Sequence, residues 1–330
     1  MVLSIERFVG KVAVVTGASA GIGAAIATQL VENGLIVIGI ARRIELIEQK
    51  VAELCEHKGK LYAYKADLSK EEEIVEAFKW IEENVGPVHI LVNNAGSSKD
   101  TTLYDGDTNA WRSVLDLNIL TLCIATREAI KSMRNNDING HIIHINSIFG
   151  HRVPTLVGLN IYSASKFAVT ALTETLRQEL NSIGSKIKVT SVSPGLVQSE
   201  LTTQNPDPDK RAYYESAPIL RPEDIADGVV YALSTPEDVQ KLKRRAHFAN
   251  VVIDQIDLHM QVQNRVQKHE TQLHGKVNQK GEPDKVQVVE NKSPVAKIFI
   301  KDLNAEKKVF FVAENRQENY NHEGEKAQEI

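Results

Sequence analysis

The sequence predicts an α/β protein built on a doubly wound parallel sheet, and three observations carry that prediction. Short runs rich in Val, Ile and Ala alternate with amphipathic stretches of helical period up to about residue 258. The first of these runs is continuously apolar, as a strand covered on both faces is. A glycine-rich stretch leaves that run directly and opens the first helix. The 330 residues carry a net charge of −4, so no basic field calls for nucleic acid or an anionic membrane surface. Cys55 and Cys123 are too few for a disulfide framework or a structural zinc site. No uninterrupted apolar run reaches the ~20 residues of a membrane span. Residues 1–10, with Glu6 and Arg7, lack the apolar core of a signal peptide. A reducing, cytoplasmic setting is the expectation.

Lys11 to Thr16 reads as the first buried strand, β-branched throughout its centre. Gly17-Ala18-Ser19-Ala20-Gly21-Ile22-Gly23 follows, then a helix to about Asn33, stopped by Gly34. A glycine turn between strand and helix lets backbone N–H groups approach a pyrophosphate at the positive helix end. Leu35 to Ile40 is the second strand, and Ala41-Arg42-Arg43 follows it. An acid there would accept from the adenosine ribose hydroxyls of NAD, but no Asp or Glu lies between Gly34 and Ile44. Arg42 and Arg43 suit a 2′-phosphate instead, so NADP is the expected cofactor.

Lys60 to Lys65 is the third strand, and Asp67 beyond it is placed to accept from an adenine amino group or to cap the next helix. That helix, about Lys70 to Asn84, has an acidic outer face and Ile74, Phe78 and Ile81 inside. His89 to Val92 forms the fourth strand, closed by Asn93-Asn94-Ala95-Gly96. Asn109 to Met133 reads as one long helix, with Asn118 inside it demanding polar partners. His141 to Ser147 is the fifth strand, 148–161 a loop, Lys186 to Ser193 the sixth strand, Arg221 to Thr235 a helix and Ala249 to Asp254 a last short strand.

Tyr162-Ser163-Ala164-Ser165-Lys166 opens a helix running through Leu180. Tyr162 and Lys166 are four apart and therefore lie one turn apart on one face. A free phenol, with a pKa of about 10, exchanges protons poorly at neutral pH. A fixed ammonium beside it favours the phenolate, which suits proton exchange with an alcohol or carbonyl oxygen.

T-G-A-S-A-G-I-G at 16–23, N-N-A-G at 93–96, Asn118, Ser147, Y-S-A-S-K at 162–166 and P-G at 194–195 stand in the order of the short-chain dehydrogenase/reductase family, which residues 7–258 resemble. The opening R-F-V-G-K-V-A-V-V-T-G-A-S-A-G-I-G, the A-R-R after the second strand and I-N-S-I-F-G-H-R-V resemble an NADP-dependent subgroup more closely. Its relatives include insect farnesol dehydrogenases and member-11-like carbonyl and steroid reductases. The resemblance implies a Rossmann-like domain over 1–258 with a polar extension over 259–330. It also implies that Tyr162 is the acid/base, that Lys166 binds the nicotinamide ribose and lowers the Tyr162 pKa, that Ser147 donates to the substrate oxygen, and that Asn118 holds a water linking Lys166 to solvent.

By the same resemblance Gly17, Ser19, Gly21, Ile22 and Gly23 line the pyrophosphate turn, while Arg42 and Arg43 face the 2′-phosphate. Asp67 and Leu68 contact adenine, Asn93 and Gly96 the adenosine ribose side, and Pro194, Gly195 and Val197 the nicotinamide. Many members carry the serine thirteen residues before the tyrosine, where this chain has Phe149; Ser147, fifteen before, takes that place here. Gln198-Ser199 stand where a threonine is usual after P-G-x-V. The expected substrate pocket is apolar, with Phe149, Pro154, Leu156, Val157, Leu159 and Leu201, beside His151 and Arg152. It suits an isoprenoid alcohol, a steroid or a hydrophobic carbonyl compound. The resemblance favours a small farnesol-like alcohol, with a carbonyl or steroid reductase, or a non-catalytic NADPH-binding scaffold, as the alternatives. Residues 201–218 read as a lid. A homodimer through the long helices after the fourth and fifth strands is the family's expectation.

Beyond about Gln261 the composition turns to Gln, Asn, Lys, Glu and His. Runs at 285–290, 296–301 and 308–313 pattern like short strands, the last two separated by a turn sequence, D-L-N-A-E. Two or three such strands lack core, so a disordered or loosely docked tail is expected. Its histidines have no metal-site spacing.

Overall fold

The computed structural model describes residues 3–155, 158–200, 219–236, 251–254, 297–301 and 308–312. Leu156, Val157, Leu201, the lid at 201–218 and the run at 285–290 therefore lie outside the described residues. The chain divides into two compact units, Met1–Val266 and Gln267–Ile330.

Among the described residues the first unit holds seven strands: β1 (Val12–Thr16), β2 (Ile36–Ala41), β3 (Lys60–Lys65), β4 (Val88–Asn93), β5 (His141–Ile145), β6 (Lys188–Pro194) and β7 (Val251–Asp254). The helices among its described residues are α1 (Gly21–Glu32), α2 (Ile44–Glu53), α3 (Glu71–Asn84), α4 (Thr108–Leu115), α5 (Thr121–Asn135), α6 (Asn160–Ser182) and α7 (Pro222–Ser234). The sheet order is β3-β2-β1-β4-β5-β6-β7, with the first six strands parallel.

The central strands β1 and β2 are apolar on both faces because both faces are covered, whereas β3 at the sheet's edge exposes Lys60, Tyr62 and Lys65. Val12 and Val14 point into one core with Ile74, Phe78 and Ile81 of α3 and Ala125, Ala129 and Met133 of α5. Ala13 and Val15, one residue out of phase, point into the other with Ile26, Leu30 and Val31 of α1 and Ile225, Val229 and Leu233 of α7. Burying each such Ile, Leu or Val contributes about 1.5–3 kcal/mol, so the two-sided pattern fixes the layering.

Two elements differ from the sequence expectation. The last strand does not extend the parallel series: β7 pairs antiparallel to β6, Val192 opposite Ile253. A four-residue apolar run carries no direction, and an antiparallel edge on a parallel sheet leaves the core layers unchanged. The single helix expected over 109–133 is interrupted, because α4 and α5 are joined by a π-helical turn, Asp116–Leu120. That turn contains Asn118, which is 2 % exposed, and widening the backbone there gives a buried amide room to find partners.

In the second unit β8 (Lys297–Lys301) and β9 (Lys308–Val312) pair antiparallel, Phe299 opposite Phe310. No helix among the described residues is long and apolar enough to cross a membrane.

Candidate active site

The sheet reverses its winding between β1 and β4, and the carboxyl ends of the strands flanking that point carry nearly every residue singled out above. The glycine turn leaves β1 there. Gly17 has φ +69°, and a Cβ on it would stand 3.0 Å from the Ala95 Cα. A Cβ on Gly23 would stand 2.3 Å from the Gly17 carbonyl oxygen, so α1 can begin this close to the strand only without a side chain. Asn94 ties the turn to β4: its Nδ2 donates to the Thr16 carbonyl at 2.9 Å and to the Gly17 carbonyl at 3.2 Å. The Thr16 hydroxyl accepts from the Asn94 and Ala95 N–H groups at 3.0 and 3.1 Å. Beside Gly21 a cavity of about 410 Å³ opens between the start of α1 and the start of α7, with Gln198, Ser199 and Glu200 on its wall.

These features fit a dinucleotide. The turn is small and open at Gly21, the first turn of α1 carries no acidic side chain, and Arg42 and Arg43 end β2 in exposed positions. Asp67 follows β3, where its Oδ1 accepts from the Ser69 N–H and hydroxyl at 3.1 and 2.8 Å. That hydrogen bond from the Ser69 hydroxyl, more than the nearby Arg42 charge, holds the Asp67 carboxyl below its ordinary range. Asp67 does not cap α3, whose N-cap is Lys70 without a side-chain cap; its carboxylate closes a local turn with Ser69 instead. The Leu68 carbonyl accepts from the Thr121 hydroxyl. Asn93 is buried, with its Nδ2 donating to Thr126 Oγ1 at 2.8 Å and its Oδ1 left without a hydrogen-bond partner.

On the other side of the reversal α6 presents Tyr162 and Lys166. Its first turn is anchored by Asn160, whose Nδ2 donates to the Thr101 carbonyl at 2.7 Å, and by a bridge between Leu159 and Thr101. Lys166 is 6 % exposed, its Nζ donates to the Ile145 carbonyl at the end of β5 at 3.0 Å, and it stands 5.7 Å from the centre of the Tyr162 ring. Burial pushes the ammonium down to about 8. Ser147, two residues beyond Ile145, is buried and accepts from the Phe149 N–H at 3.1 Å, which starts the short turn Ile148–Gly150.

The π turn delivers Asn118 to the same place. Its Oδ1 accepts from the Ser97 N–H at 2.8 Å, and its Nδ2 donates to the Ser97 carbonyl at 3.0 Å and to Ser165 Oγ at 2.9 Å. Ser165 in turn donates to the Tyr162 carbonyl at 2.7 Å. Asn118 is thereby fixed both to the end of β4 and to the helix that carries the tyrosine. Gly96 must be small here, since a Cβ would stand 3.2 Å from Asn118 Oδ1. Of the expected pocket residues, Phe149, His151 and Leu159 are half-buried, and His151 Nε2 lies 2.9 Å from Ser193 Oγ on β6. Pro194 ends β6, and the segment after it is held by a bridge between Val197 and Leu220.

Thr16, Asn94 and Ser165 were not singled out by sequence reasoning, though each had a signal. Ser165 lies three residues after Tyr162, the spacing at which a helical serine bonds back to a carbonyl. Asn94 is the second asparagine of a polar strand end. Glu200, bonded to Arg43, had none, because its partner lies 157 residues away.

Comparison with known proteins places this arrangement. The family model for short chain dehydrogenases matches residues 11–210. A farnesol dehydrogenase of Aedes aegypti is 48% identical over 238 residues, covering 72% of this chain and 95% of that protein. Dehydrogenase/reductase SDR family member 11 of Bos taurus is 46% identical over 243 residues, covering 72% of this chain and 95% of that protein. Among solved structures, the closed form of a serine dehydrogenase complexed with NADP+ is similar with a TM-score of 0.62 and 28% identity, covering 69% of this chain and 91% of that one. With the glycine turn, the strand-end asparagines and the Tyr162–Lys166 pair in place, the chain belongs to the short-chain dehydrogenase/reductase family of oxidoreductases.

Proposed function

We propose that this oxidoreductase uses NADP(H) to interconvert a hydrophobic alcohol and its carbonyl compound, with a farnesol-like isoprenoid alcohol as the favoured substrate. The observation that carries the reading is the buried Lys166 ammonium, pinned to the end of β5 and 5.7 Å from the Tyr162 ring. A nicotinamide held by Lys166 and by Pro194, Gly195 and Val197 would supply the hydride acceptor for an alcohol carbon and the hydride donor for a carbonyl carbon. Tyr162 takes the alcohol proton as the carbonyl forms, or gives it back in the reverse direction. Lys166, held charged below about pH 8, favours the phenolate that this transfer needs. Ser147 donates to the substrate oxygen and stabilises charge developing there. Asn118, locked through Ser97 and Ser165, keeps the start of α6 in register with β4. Phe149 and Leu159 give the pocket apolar wall, and the mosquito farnesol dehydrogenase supports an isoprenoid alcohol. Arg42 and Arg43, with no acid beside them in sequence, support NADP over NAD. The groove of about 750 Å³ between α5 and α6, where Leu122, Ile130, Leu172 and Leu176 stand among the charged Arg127, Lys131, Arg134 and Glu179, is the surface that a homodimer through those helices would use.

The test is nicotinamide absorbance with NADP+ and farnesol, then NADPH and a dicarbonyl, with Tyr162→Phe as control. Farnesol turnover that disappears in the variant is the expected result. Turnover of the dicarbonyl alone would move the protein to the carbonyl and steroid reductases. Undiminished turnover by Tyr162→Phe would remove Tyr162 from the chemistry.

A further inference from the structure

Arg42 and Arg43 follow β2 directly, and both are exposed. Arg43 is engaged: its Nη1 donates to Glu200 Oε1 at 2.8 Å and its Nη2 to Glu200 Oε2 at 2.7 Å, a two-pronged pair. The same Nη2 lies 3.4 Å from the hydroxyl of Ser19 in the glycine turn. Glu200 shares the cavity wall with Gly21 at the start of α1, a helix whose own first turn supplies no carboxylate. A carboxylate brought from beyond β6 therefore stands at the anion end of the cleft and fills the fork of the arginine expected to meet a 2′-phosphate.

The chemistry of that pair makes it exchangeable. A guanidinium fork accepts two oxygens of a carboxylate or of a phosphate with nearly the same geometry. A phosphate monoester brings about −1.5 to −2 charges against one for Glu200, so it outcompetes the carboxylate. The side chains of Arg43 and Glu200 are 50% and 41% exposed, so water screens the pair and little holds it against a better partner. Each partner shifts the other in the sense of a direct contact: the Glu200 carboxyl lies below its ordinary range and the Arg43 guanidinium above its own.

We propose that Glu200 is a specificity-determining residue for the dinucleotide. Its carboxylate occupies the Arg43 fork until a 2′-phosphate replaces it. The inference rests on the reading of Arg43 as the phosphate ligand. Part of what Arg43 gains from the phosphate is spent on releasing Glu200, while NAD, bringing no phosphate, leaves the pair closed. Glu200 thus narrows the gap between the two cofactors, and removing its charge widens it.

The experiment is calorimetric titration of the full chain, without substrate, with NADP+ and with NAD+, in wild type, Glu200→Gln, Arg43→Ala and the double variant. Glu200→Gln is expected to tighten NADP+ about three- to ten-fold, some 0.7–1.4 kcal/mol, and to leave NAD+ within about two-fold. Arg43→Ala is expected to weaken NADP+ about ten-fold or more, and in that background Glu200→Gln is expected to shift NADP+ by less than about two-fold. If Arg43→Ala weakens NADP+ but Glu200→Gln leaves it unchanged, weakens it, or tightens NAD+ equally, the exchange is overturned and the arginine reading stands. If Arg43→Ala leaves NADP+ affinity unchanged, the arginine reading fails and the exchange fails with it.

Discussion

Lys166 shows how one residue bears the cost of its position. Its ammonium is buried, and its folded pKa of about 8 lies below the ordinary lysine value of 10.5. The unfolded chain therefore binds more protons than the folded one above pH 8, and the folded state gains stability as pH rises toward 10.5. Lys166→Met has no such term. Relative to that variant, the wild type should gain about 2 kcal/mol between pH 7 and pH 9.5, read from urea unfolding. A difference that stays flat with pH would mean that the ammonium is not desolvated. Residues of this kind were legible in the sequence because their spacing is local: Tyr162 and Lys166 are one helical turn apart. Glu200 was not legible, because its role comes from pairing across the sheet's end rather than from any pattern of neighbours.

At the scale of an element, β5 carries a liability that its composition alone does not advertise. His141 and His144 are each 1 % exposed. One lies 2.8 Å from the Thr190 hydroxyl and the other 3.0 Å from the Thr173 hydroxyl. Burial, more than the neighbouring lysine charges, pushes His144 down to about 3 and His141 well below its ordinary range. Both stay neutral in the folded protein while the unfolded chain takes up protons below about pH 6.5, so stability is lost as pH falls through that value. Two such groups cost about 2.5 kcal/mol between pH 7 and pH 5.5, before ordinary carboxylates titrate. Urea unfolding at the two pH values checks this, and a loss below about 1 kcal/mol would contradict neutral burial. Strands such as β1 and β2 were read almost to their ends, since an unbroken apolar run has few alternatives. The direction of β7 and the break between α4 and α5 were not, because neither pairing direction nor a one-residue helical irregularity leaves a periodic trace.

For the molecule as a whole, the reversal of strand order gathers residues from β1, β2, β4, β5 and α6 at one edge, although they are spread over some 180 positions of the sequence. Two-sided apolar strands and short glycine turns dictate that gathering, which is why the fold class was the most legible feature of all. The homodimer is the reading that belongs at this scale. Sedimentation velocity should give twice the chain's 36.6 kDa, and Ile130→Glu in the groove between α5 and α6 should return it to one. A wild-type protein that sediments as a single chain would remove the dimer.

The π turn at Asp116–Leu120 bears on that outer groove as well as on Asn118. A wide turn adds one residue to the helical count, and each residue turns a helix by about 100°. Residues before and after the turn are therefore numbered in different frames of the same rod. Because the wide turn takes up that residue, a single deletion there would yield a smooth helix that keeps Ala125 and Ala129 in the core and Ile130 in the groove while taking Asn118 off its partners. A deletion within α5 itself would instead rotate every later side chain by about 100°. The extra residue thus shapes what the helix shows the site without changing what it shows the outside.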